Sequence, residues 1–76
     1  MDKEEVSKTA SHVASEYLLK EEKREFIATD TEFPPEEAST NIVFVNGYYK
    51  DNKEDKMYVM IDFKNDYNIE GYGELE

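Results

Sequence analysis

A chain of 76 residues with 19 acids, nine bases and no cysteine has room for one domain, and it excludes disulfide staples and any thiolate ligand or nucleophile. Its net charge of −10 exceeds the magnitude of about 2–8 that suffices for the solubility of a small domain. Like-charge repulsion therefore makes nucleic acid and anionic membrane poor direct partners and a basic macromolecule the natural complement. The opening MDKEEVSK carries acids where a secretory signal has an apolar core, and no apolar run approaches the ~20 residues of a membrane span, so a soluble, cytoplasmic setting is expected.

In chain order, the first element is a helix. Val6, Ala10, Val13, Ala14 and Tyr17 recur at three- and four-residue steps with Leu18 flanking the stripe, which predicts a helix over about residues 3–24. Asp2 and Glu5 have capping-box spacing, Glu4 adds charge to the first turn, and Lys20, Lys23 and Arg24 suit the other end of the dipole. His12 falls on the polar side of this helix. A lone exposed histidine without a partner or pocket is no general base, and no catalytic residue is assigned.

Residues 25–29 allow a short strand, and an acidic loop follows over about 30–40, where Pro34-Pro35 removes two backbone donors and displays Glu36 and Glu37. NIVFVNGYYK and KMYVMIDFK are rich in β-branched and aromatic residues and predict two strands joined through DNKED. That connector lacks the central glycine and terminal glutamate of a calcium loop, and lysines surround it; neither metal nor cofactor is expected. A turn at Asn65-Asp66 leads to a last strand ending near Leu75. The fold class expected is α+β: one domain over residues 1–76, with an N-terminal helix packed on a three- to four-stranded antiparallel sheet and a β-meander over about 41–75.

Strand parity then assigns faces. Met57, Val59, Ile61 and Phe63 share one face with Tyr67 and Ile69, the face a helix would cover. Tyr58, Met60 and Asp62 fall on the other, and uninterrupted alternation puts Glu70, Tyr72, Glu74 and Glu76 beside them. Residues 31–40 carry three acids and no base, and residues 61–76 five acids against Lys64 alone. Acids on an edge strand can serve simply to block sheet-to-sheet pairing, but lysine is the common residue for that task and is nearly absent here. The alternative is a surface of phosphate-like charge. Same-face residues on a strand repeat about every 6.6–6.8 Å, against a phosphate about every 3.4 Å along each DNA strand. The expected partner-binding set is Glu32, Glu36, Glu37, Asp62, Asp66, Glu70, Tyr72, Glu74 and Glu76, with Tyr49 and Tyr58 as added contact area. Val43, Val45, Tyr49, Tyr58 and Met60 are the candidates for an apolar homodimer face.

The helix EEVSKTASHVASEYLLKEEKREF, the acidic Pro-Pro loop and the tyrosine-rich acidic strands resemble the small acidic bacteriophage inhibitors of HU, the bacterial histone-like nucleoid protein. The resemblance lies in size, charge and element order. It implies a non-enzymatic homodimer, in the host cytoplasm or nucleoid, that mimics DNA and occludes the basic DNA-binding surface of HU. Inhibition of a restriction, repair, CRISPR or transcription enzyme is an alternative of the same mechanical kind, and a structural oligomerisation domain is one of a different kind.

Overall fold

The computed structural model describes residues 2–35 and 37–75. It contains α1 (Lys3–Glu22), β1 (Phe26–Glu32), β2 (Ile42–Tyr49), β3 (Asn52–Asp62) and β4 (Asn68–Glu74). The strands form one antiparallel meander in the order β1-β2-β3-β4, with α1 across one face. This is the α+β fold expected from the sequence, with the larger of the two strand counts.

Local chemistry sets the ends of α1. The Asp2 carboxylate accepts hydrogen bonds from the backbone N–H groups of Glu4 and Glu5, at 3.1 and 3.3 Å, satisfying donors that the first turn leaves unpaired. At the other end Lys23 turns left-handed, with φ 60°, and stops the helix three residues before Phe26 begins to pair. Val6, Ala10, Ala14 and Leu18 form a buried ladder at four-residue spacing. Leu18 is central to the interface, whereas Val13 and Tyr17 pack at its margin. The two alanines let the helix backbone lie close to the sheet. Polar clips fix its placement: the hydroxyls of Ser7 and Thr31 share a 2.8 Å hydrogen bond, and Ser15 Oγ donates to the Phe26 carbonyl at 3.0 Å.

The core lies between α1 and the inner face of the sheet, where Val43, Val45 and Tyr49 of β2 meet Met57, Val59 and Ile61 of β3. Val43 pairs with Ile61 and Val45 with Val59. This corrects the dimer-face assignment for Val43, Val45 and Tyr49: the two valines are fully buried and Tyr49 is 2% exposed. Both parities of β2 are apolar, with Ile42, Phe44 and Tyr48 on one side and Val43, Val45 and Tyr49 on the other. Alternation within that strand therefore could not choose the inner face; pairing with β3 does.

Two irregularities and a glycine shape the sheet. In β1, Thr29 is an extra residue between the pairs Ala28–Gly47 and Asp30–Asn46, so Asp30 and Glu32 join Ile27 on the outer face and Thr31 turns toward α1. In β4, Glu70 is extra between the pairs Ile61–Ile69 and Met60–Gly71. Gly47 sits where β1 crosses close over β2. A Cβ there would lie 2.1 Å from the Ile27 carbonyl oxygen and 2.7 Å from the Phe26 ring, so only glycine fits.

The β1–β2 and β2–β3 connections are shorter than the sequence suggests. β1 runs on to Glu32, taking the start of the expected loop, and β3 begins at Asn52, so most of DNKED is strand and only Lys50 and Asp51 turn. The β3–β4 turn closes with the Asn68 N–H donating to the Asn65 carbonyl at 3.1 Å. Its two central residues, Asp66 and Tyr67, have φ of 53° and 55°, the pattern of a tight hairpin turn that matches strand twist.

Candidate functional site

The Glu70 bulge divides the expected acidic surface. A bulge adds one residue and so reverses which face every later side chain meets. Ile69 faces α1, and beyond the bulge Tyr72 does so too, opposite Val59, with Glu74 opposite Met57. Tyr72 and Glu74 therefore lie on the helix side, not beside Asp62 and Tyr58 as uninterrupted alternation predicts. The Tyr72 ring packs edge-on against Tyr17 with centroids 5.6 Å apart, and its hydroxyl donates to Glu22 Oε2 at 3.2 Å. Partial burial and the neighbouring Glu22 carboxylate both push the Tyr72 phenol pKa up. The β4 edge thus gathers Glu70, Glu74 and Tyr72 from the strand with Glu22 from the helix end, and Glu21 is close enough to act on Tyr72. Glu70 accepts from Asn68 Nδ2 at 2.7 Å, and Asp66 stands exposed on the turn before it.

The outer face is a second surface. Two rows cross all four strands there: Glu32, Phe44, Met60, Gly71, and Asp30, Asn46, Tyr58, Gly73. Ile42 with Asp62 borders one side, and Ile27, Tyr48 and Lys56 the other. Phe44 and Tyr58 contact each other with centroids 5.8 Å apart. Of the dimer candidates, Tyr58 and Met60 are on this face, half-buried. Asp62 and Glu32 are here as well, on the opposite face of the sheet from Tyr72 and Glu74. Glu37 is exposed on the loop, and Glu36 and Glu76 lie outside the described residues.

Several cations are already occupied. Arg24 stacks its guanidinium 3.8 Å from the Tyr49 ring centroid, holds Asp51 through two hydrogen bonds and reaches Asp55 at 2.9 Å. The bond to Asp51 holds the guanidinium pKa above its ordinary value and the Asp51 carboxyl below its own. Lys50 pairs with Glu25 at 3.2 Å and Lys8 with Glu4 at 3.8 Å. Lys3 lies over the Phe33 ring at 5.6 Å, and with Lys64 it flanks a shallow cavity of about 240 Å³ lined by Pro34 and Phe63. His12 is exposed, 3.6 Å from Glu16. Among the described residues no three His, Cys, Asp or Glu side chains converge as a metal site would require, and no helix is long and apolar enough to cross a membrane.

Sequence reasoning passed over Asp30, Glu21 and Glu22 as members of the acidic edges, and Phe44, Tyr48, Ile27 and Ile42 as members of the outer face. The signal for the latter was the doubly apolar β2. For Asp30 it lay in extending β1 past Thr29. A comparison with protein-family models, curated proteins and solved structures finds no match to this chain.

Proposed function

We propose that this chain is a non-enzymatic DNA mimic that binds a basic DNA-binding protein and blocks its access to DNA, with HU the partner to which the sequence resemblance points. One observation carries the reading: the two edge strands, FIATDTE and NIEGYGE, hold four acids and no base. An edge protected only against aggregation has no need of a single sign of charge, and lysine serves that purpose well. Asp30 and Glu32 line one edge. Glu70 and Glu74 line the other, reinforced by Glu21 and Glu22, so negative potential runs along both margins of the sheet. Such a field steers a basic groove and makes association sensitive to salt.

The test is calorimetric titration of HU at low and physiological salt. Binding that weakens steeply with salt supports the reading, and absence of binding at low salt removes it. Paired reversals then locate the surface: Glu70→Lys with Glu74→Lys on one edge, and Asp30→Lys with Glu32→Lys on the other. A folded variant that binds as well as the parent acquits its edge.

A second reading, a structural domain that self-associates, draws on the exposure of Phe44 together with Tyr58 and Met60 on the outer face. Sedimentation equilibrium decides it: a monomer at tens of micromolar eliminates this reading.

A further inference from the structure

The outer face combines features that neither acidity nor solubility requires. Gly71 and Gly73 of β4 leave that strand without side chains there, and the neighbours on β3 fill the space. A Cβ on Gly73 would meet the Tyr58 hydroxyl oxygen at 2.9 Å and ring carbons at 3.1 Å, and one on Gly71 would meet Met60 Cε at 3.0 Å. Tyr58 and Met60 thus lie down across the glycines instead of standing out from the sheet. The tyrosine ring becomes part of a flat shelf, with Phe44 tilted against it at 42°. Carboxylates border the shelf in register: Glu32 directly beside Phe44, Asp30 one residue across from Tyr58 through Asn46, and Asp62 next along β3 from Met60. Among the described residues paired in the sheet register, Lys56 is the single base on this face.

A planar cation fits this arrangement. Guanidinium groups stack on aromatic faces within about 6 Å of the ring centroid and pair with carboxylates through a fixed fork, whereas an ammonium is more strongly hydrated and does neither as well. An extended segment places alternate side chains about 6.6–6.8 Å apart, the same repeat as the two rows of the shelf. A second copy of this chain is the poorer occupant. Each copy carries −10, and face-to-face pairing would set Asp30, Glu32 and Asp62 against their equivalents in a dry interface.

We propose that the outer sheet face is the docking platform for an arginine-bearing extended segment of a basic partner, with guanidinium groups stacked on Tyr58 and Phe44 and paired with Glu32, Asp30 and Asp62. The proposal rests on the reading that the partner is basic and adds where, and by which side chain, it is held. The probes are two decapeptides, five Gly-Arg and five Gly-Lys repeats, titrated into the full chain and followed by backbone amide and methionine methyl resonances. The arginine peptide should bind about fivefold or more tightly than the lysine peptide, in line with ~1 kcal/mol for a stacked guanidinium. Its shifts should centre on Phe44, Tyr58 and the Met60 methyl. Phe44→Ala should remove the arginine preference, and Glu32→Gln, which leaves the apolar packing intact, should weaken both peptides.

Equal binding of the two peptides, or shifts confined to Glu70, Glu74 and the end of α1, would overturn the proposal. So would sedimentation showing a dimer that both peptides leave intact. Silence of the peptides with HU binding retained sinks this inference alone. Arginine-peptide binding on the shelf without HU binding upholds the platform and removes the DNA-binding partner.

Discussion

Tyr72 sets its ring edge-on against Tyr17 and donates its hydroxyl to Glu22 at 3.2 Å through an exposed hydrogen bond, so β4 is tied to the helix chiefly by packing and its tyrosine serves the fold. Tyr72→Phe keeps the edge-on packing against Tyr17 and should leave the melting temperature near that of the parent. Tyr72→Ala loses that packing and should lower it measurably in a calorimetric scan. If Tyr72→Ala melted with the parent, the strand would not be anchored through this side chain.

Gly47→Ala tests the close crossing of β1 over β2. The added methyl meets backbone, not a flexible side chain, and the cost should be about 3 kcal/mol or more, the upper end for overpacking. Denaturant unfolding reads it directly. A loss under ~1 kcal/mol would mean that the crossing is looser than the geometry states.

Tyr49→Phe should raise stability. The Tyr49 hydroxyl is buried with no hydrogen-bond partner among the described residues, and an unpaired buried hydroxyl costs about 1–3 kcal/mol. Removing it while keeping the ring under Arg24 should recover ~1 kcal/mol, or roughly 4–8 °C in melting temperature for a domain of this size. A destabilised Tyr49→Phe would reveal a partner for that oxygen.

The Arg24–Asp51 contact gives a pH dependence with a definite sign. Asp51 has its pKa lowered in the folded state, first by the Arg24 hydrogen bond and also by its charge. The stability it contributes is therefore present above the unfolded aspartate pKa and is lost as pH falls through the lower folded value. Carbon-detected titration should show Asp51 ionising below an ordinary aspartate, and Arg24→Ala should return it to the usual range. An unshifted Asp51 in the parent would contradict the clamp.

Much of this fold was legible in the sequence because periodicity carried it. The four-residue ladder from Val6 to Leu18 marks α1, and Asp2 marks its start. Met57, Val59 and Ile61 name the inner face of β3, since their alternates include Asp62 and Lys56. Two signals were unreadable for physical reasons. β2 is apolar on both parities, so its inner face follows from long-range pairing with β3, and Val43, Val45 and Tyr49 moved from a supposed surface into the core. The Glu70 bulge leaves no mark in NIEGYGE beyond its glycines, yet it sends Tyr72 and Glu74 to the helix side. Of the candidate site, Glu32, Asp62, Tyr58 and Met60 share the outer face and Glu70 and Glu74 share an edge, so one expected surface is two. The Arg24 clamp joins residues 27 and 31 positions apart, a pairing that no local pattern encodes.

The most direct test of the central claim is displacement. HU bound to a fluorescent DNA duplex is titrated with the chain at several salt concentrations, and released duplex is read by anisotropy. A DNA mimic should give full release at low salt, stoichiometric with HU, and declining potency as the salt that screens carboxylate–cation attraction is raised. DNA that stays bound at low salt, at any excess of the chain, would contradict it.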